Sequence, residues 1–148
     1  MTDRALSYMV NYVLLLGVAV ILVGGLSMAG SALLEGQHEQ TVDAELDVIG
    51  ERIAADISTA DRLTQTEGEA ETIRVVSDSP QFVSGGQYTI TTETDGSDTI
   101  IRLESSDADV TKEKTINTTT PVDETRLTGG TLEISYDTGD DRLVITRE

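Results

Sequence analysis

Side chains able to do chemistry are few in this chain and lie far apart. His38 is the single histidine, set among Gln37, Glu39 and Gln40. A nucleophilic triad needs a histidine held between a nucleophile and an acid. Nothing around His38 supplies that, so it reads as a solvated helix residue. Cysteine is absent, which removes thiolate catalysis, disulfides and metal sites built on Cys and His. Carboxylates are abundant. Asp107-Ala108-Asp109 and the group Asp137, Asp140 and Asp141 offer oxygens to calcium, but neither has the spaced ligand loop of a calcium hand. Both read as turns on an acidic surface. Gly85-Gly86 and Gly129-Gly130 lack the Lys-Ser/Thr of a phosphate-binding loop. Asn117-Thr118-Thr119 fits the N-glycosylation acceptor rule, which makes Asn117 a candidate for modification outside a cell. The expectation is therefore no catalytic residue, no metal site, no cofactor, no small-molecule substrate and no enzyme activity.

The elements that carry these residues start with an apolar run. Residues 5–34 contain no Asp, Glu, Lys, Arg or His. About 20 apolar residues in a helix cross a hydrocarbon core roughly 30 Å thick, and a helix satisfies its own backbone groups there. This run is long enough to span with tilt. The competing explanation is a buried core helix, but little else in the chain could wrap a helix that is apolar on all sides. A cleaved secretory signal is the other alternative, with Ser27-Met28-Ala29 as the small-x-small site. The weak basic region and the long apolar run favour a retained span, with the lipid bilayer as its first partner.

Charge sets the orientation. Arg4 is the only base ahead of the run, whereas Glu35, Glu39, Asp43 and Glu45 follow it. The positive-inside bias places the amino terminus in the cytoplasm and the body outside the cell, a single-pass topology. Asp3 and Arg4 cancel, so the whole net charge of −17 falls on residues 35–148. Such a surface repels nucleic acid and anionic headgroups, so nucleic acid is not an expected partner. Molar salt screens self-repulsion to a few ångströms, and the composition reads as a salt-adapted surface.

Within the span, Gly17, Gly24 and Ser31 recur at sevens, and Gly25 and Ala29 form a small-xxx-small pair. Small residues on one face let helices approach closely, so these five positions are the expected helix–helix packing seam and self-association the expected interaction. Asn11 is the strongly polar side chain near the start. Beyond the span, Val42, Leu46, Ile49, Ile53 and Ile57 recur at fours and threes, marking one face of an amphipathic helix. Acids fill its other faces. Gly36 reads as a kink, and Gly50 weakens the helix by up to ~1 kcal/mol relative to Ala. The stripe predicts helix–head packing against a sheet that follows in sequence.

Residues 64–70 read as a neck loop around Gly68. Strand-like stretches follow at 71–76, 87–94, 99–104, 109–116, 125–128, 131–136 and 142–146. Asp95-Gly96-Ser97 makes a hairpin of the second and third, and residues 137–141 join the last two. The fold class is α+β: a long amino-terminal helix, first transmembrane and then amphipathic, packed on a small antiparallel sheet or sandwich head. The organisation is a cytoplasmic start at 1–7, a transmembrane helix at 8–34, its amphipathic continuation at 35–63 and an acidic β-rich head at 64–148.

This arrangement, with Asp3-Arg4-Ala5-Leu6-Ser7 just ahead of the apolar run, resembles the type IV pilin and archaellin superfamily. Together with the Thr-, Asp- and Glu-rich composition, it looks like the small pilin-like membrane proteins of haloarchaea. The motif match covers the first 30 residues or so, and the head matches only in being β-rich. The resemblance implies prepilin-type processing at Arg4, Ala5 and Leu6, with the scissile bond between Ala5 and Leu6. Ser7 is followed by Tyr8 where common haloarchaeal pilins continue with Ser-Pro. The acid that bacterial pilins carry near the mature start is missing, and Asn11 is the nearest polar residue. The resemblance implies a structural or minor subunit of an archaeal cell-surface filament of the type IV pilus kind. Such a subunit assembles with its own or other pilin-like copies through the hydrophobic helix. The alternative is a single-pass anchor that displays a β-rich domain for a partner or ligand.

Overall fold

The computed structural model describes residues 2–66, 73–95 and 98–148, with side chains from Met9 onward apart from Ala32. Helix α1 runs over Thr2–Thr66. The seven strands that follow are β1 (Arg74–Ser77), β2 (Tyr88–Asp95), β3 (Asp98–Ser105), β4 (Thr111–Asn117), β5 (Thr125–Thr128), β6 (Leu132–Asp137) and β7 (Arg142–Arg147). The chain divides into two compact units, Met1–Gln37 and His38–Glu148.

The first unit is helical backbone whose apolar side chains are uncovered. Leu14, Ile21 and Leu26 are all exposed, and this is the one stretch among the described residues long and apolar enough to cross a membrane. Two of its serine hydroxyls are satisfied within the helix. Ser27 Oγ donates to the Val23 carbonyl at 2.9 Å and Ser31 Oγ to the Met28 carbonyl at 3.0 Å. That back-bonding removes the cost of placing a free hydroxyl in hydrocarbon. The backbone is helical through Gly36.

The second unit packs the rest of α1 on two antiparallel sheets, ordered β1-β6-β7 and β4-β3-β2-β5. Period-two alternation decides which side chains face in. Tyr88, Ile90 and Thr92 of β2 are buried, opposite Thr99, Ile101 and Leu103 of β3, with Ile90 across from Leu103. Leu132 and Ile134 of β6 and Leu143 and Ile145 of β7 do the same in the smaller sheet. These faces share one core with Val42, Leu46, Ile49, Ile53, Ile57 and Ala60 of the helix. The opposite face of the larger sheet is charged, and Arg102 bridges Glu93 and Glu113 across three strands at 2.8 Å each.

The strand boundaries differ little from the sequence reading. The first strand begins at Arg74 and the fourth is Thr111–Asn117. The first two residues of the 71–76 stretch, the Gly96-Ser97 turn and the Gly68 neck lie outside the described residues. Helix α1 runs through Thr66, which leaves Thr64 helical rather than part of a neck.

Two glycines are there for space. A Cβ on Gly129 would lie 2.2 Å from Cε1 of Tyr88, so only a glycine lets that ring pack flat against the β5–β6 connection. Gly50 is buried, and a Cβ there would sit 3.1 Å from Leu103 Cδ1 and 3.3 Å from Lys114 Cγ. The residue that weakens the isolated helix thus brings it close to β3 and β4.

Candidate functional site

His38 is exposed. The acidic groups of the turns serve the turns: Asp137 Oδ1 accepts from Gly139 N at 2.8 Å and Asp141 Oδ1 from Tyr136 Oη at 2.5 Å. Among the described residues no group of His, Cys, Asp or Glu could hold a metal ion. Asn117 is exposed at the end of β4, where its Nδ2 donates to Asp98 Oδ1 at 3.0 Å. The side chains of Arg4, Ala5 and Leu6 lie outside the described residues. Gly17, Gly24 and Gly25 have nothing within 4 Å of where a Cβ would stand, and Ala29 and Ser31 are exposed. Val42, Leu46, Ile49, Ile53 and Ile57 are buried together in the core of the second unit.

The acids of the 38–66 helix do more than fill free faces, which corrects the sequence reading. Both lysines of the chain sit on β4 two residues apart and so point the same way. Lys112 Nζ reaches Asp43 Oδ1 at 2.9 Å, and Lys114 Nζ reaches Asp47 Oδ1 at 3.0 Å and Glu51 Oε1 at 3.4 Å. Asp43, Asp47 and Glu51 are spaced by four on one helical face, so strand and helix periods match along this clasp. The hydrogen bond from Lys114, and then its charge, hold the Asp47 carboxyl below its ordinary range, and Asp47 in turn holds the Lys114 ammonium above its own.

A second tie lies nearer the helix end. Asp61 is buried, and its Oδ1 accepts from Thr120 N at 2.7 Å and Thr119 N at 3.1 Å. Gln65 Nε2 donates to its other oxygen at 3.1 Å. These bonds fix the connection between β4 and β5 to the helix. Sequence reasoning missed Asp61, although an acid one residue past Ala60 on an otherwise apolar stripe was a legible signal.

The structure also shows a groove that the sequence reading did not single out. It lies between the 41–52 stretch of α1 and the 80–84 loop, and its volume is about 650 Å³. Ala44, Val48, Pro80 and Phe82 line it, with Glu45 and Arg52 toward its two ends. Val48 is 58% exposed and Phe82, the only phenylalanine, 49%. The loop wall is built by a tight turn. Val83 and Gly86 exchange both backbone hydrogen bonds at 2.9 Å, and Ser84 and Gly85 between them have φ of 47° and 90°. Positive φ at both central residues is the hairpin turn that suits twisted strands. Glu45 Oε2 accepts from Ser84 N at 3.0 Å, and Arg52 Nη1 donates to the Asp78 carbonyl at 2.9 Å, so both groove charges also brace the loop.

A family model, DUF7266, described as a family of unknown function, matches residues 1–148. The chain belongs to the DUF7266 family. No curated protein and no solved structure matches it. Among the described residues of this DUF7266 chain, two features open to a partner are the uncovered apolar helix surface of the first unit and the Val48–Phe82 groove of the second.

Proposed function

We propose that the chain is a non-enzymatic, pilin-like subunit, structural or minor, of an archaeal cell-surface filament. The supporting observation is the uncovered apolar surface from Met9 to Leu34, whose described side chains are exposed. Apolar area left open costs about 25 cal/mol per Å² in water, so this surface needs lipid or other helices. Both are available to a subunit that is stored in a membrane and then packed by its helices. Gly17, Gly24 and Gly25 support close packing, because the space beside each is open. The amino terminus is cytoplasmic and the head extracellular, on the strength of Arg4 before the span and the acids after it.

The second reading is a permanent anchor that displays the β-rich unit to a partner, and the Val48–Phe82 groove favours it. Sequencing the mature amino terminus in membrane and sheared-filament fractions separates the two. A terminus at Leu6 in sheared material supports the filament subunit. Met1 retained in every fraction overturns processing and leaves the anchor.

A further inference from the structure

Asn117 is the only asparagine besides Asn11, and Thr118 and Thr119 complete the N-glycosylation acceptor rule after it. The fold presents this tripeptide at a defined place. Asn117 is the last residue of β4 and stands opposite Asp98, the first residue of β3. It is exposed, and so is Thr119, the hydroxyl residue that the rule requires. The backbone that follows Asn117 is pinned from beneath. Buried Asp61 accepts from the Thr119 and Thr120 amides, and Thr118 Oγ1 lies 3.3 Å from Thr99 Oγ1. The acceptor is thus held at the surface through the backbone of Thr119 rather than its side chain.

Its place matters because of the sheet edges. A strand edge with free N–H and C=O groups is a template for pairing with another chain. The two sheets have four edges, β1, β7, β4 and β5. Strands β1 and β5 are short, four residues each. Strand β7 is bonded along its outer side, where Leu143 N donates to the Pro121 carbonyl and Asp123 N to the Leu143 carbonyl, at 2.8 Å each. Strand β4 has seven residues, and among the described residues no backbone bond covers its outer side. Lysines can guard an edge, but Lys112 and Lys114 are drawn onto the helix by Asp43, Asp47 and Glu51. The acceptor asparagine ends this long, uncovered edge.

We infer that Asn117 carries an N-linked glycan, which shields the β4 edge from the edges of other copies. The donor is a glycan joined through phosphate to a membrane lipid. Asn117 Nδ2 attacks C1 of the first sugar and the C1–O bond to the phosphate breaks. The lipid phosphate leaves as an anion, and one amide proton passes to a base of the transferring enzyme. The product amide keeps its other N–H, so the bond to Asp98 Oδ1 at 3.0 Å survives. A bulky, solvated glycan at this position occupies the space that a second strand would need beside β4. This rests on the reading above only in that the head faces the outside of the cell.

The full chain would be produced in a haloarchaeon, together with its Thr119→Ser, Thr119→Ala and Asn117→Gln variants. Trypsin should release residues 115–126, the segment that follows Lys114 and ends at Arg126. Mass spectrometry should find a glycan on Asn117 in the unaltered chain and in Thr119→Ser, and none in Thr119→Ala or Asn117→Gln. Protease added to intact cells reports separately on which side the head lies. An unmodified peptide from heads that the protease reaches overturns the glycan and leaves the outside head standing. An unmodified peptide from heads that it does not reach overturns both. Loss of the glycan should also shift the detergent-solubilised chain to dimers or larger species in sedimentation, in Thr119→Ala and Asn117→Gln alike and not in Thr119→Ser. Equal sedimentation of all four chains overturns the shielding.

Discussion

Removal of the amphipathic half of α1 should unfold the β-rich unit. Val42, Leu46, Ile49, Ile53 and Ile57 are buried against both sheets. Burying one such side chain stabilises by about 1.5–3 kcal/mol, so the five contribute on the order of 10 kcal/mol. A domain of this size has only about 5–15 kcal/mol in total. A fragment starting at Thr64 loses all of that and also exposes Ile90, Ile101 and Leu103 to water. In molar salt, a fragment starting at Glu35 should show one cooperative urea transition by circular dichroism, and the one starting at Thr64 should show none. Ile53→Ala in the longer fragment should cost about 2–5 kcal/mol. Val48→Ala, on the exposed groove wall, should stay within about 0.5 kcal/mol. Equal midpoints for the two fragments, or equal costs for Ile53→Ala and Val48→Ala, would refute a core built on the helix.

Three further outcomes follow from the same packing. Gly129→Ala drives a methyl into the Tyr88 ring and should cost about 3 kcal/mol; with Tyr88→Leu the loss should be clearly less than the sum, and strict additivity in a urea cycle would count against the contact. Asp61→Ala leaves the amides of Thr119 and Thr120 without their carboxylate and should cost about 2 kcal/mol, with faster amide exchange at those two residues as the local readout. Asp47 has its pKa lowered below the ordinary 3.8 by Lys114, so its contribution is present above 3.8 and is lost as pH falls through the lower folded value; Asp47→Asn should flatten the acid limb of a thermal-midpoint profile, and an unchanged limb would remove the clasp from the account.

Much of the fold was legible because it is periodic and local. The 42–57 stripe repeats at helical spacing, and the β2–β3 and β6–β7 hairpins are joined by short turn sequences. What was not legible is non-local. Val75 of β1 pairs with Ile134 of β6, and Ile90 of β2 pairs with Leu127 of β5, partnerships that no window of neighbouring residues encodes. Gly50 looked like a defect because its value lies in what it allows Lys114 and Leu103 to touch. The acids of the helix looked solvated because the lysines that meet Asp43 and Asp47 come some 70 residues later. Val48 and Phe82 were invisible as a pair for the same reason, since each alone is an ordinary exposed apolar residue.

The pairing of β1 with β6 also sets a clock. Arg74 opposes Ser135, so β1 has no partner until some 60 later residues have been made, and the last strand of its sheet ends at Arg147. Loop closure over such separations slows folding. During synthesis the 42–57 stripe emerges first and waits, its isoleucines uncovered, for strands still inside the ribosome. A head of this topology therefore stays a thread rather than a globule until Arg147 is free, because only then can the smaller sheet close.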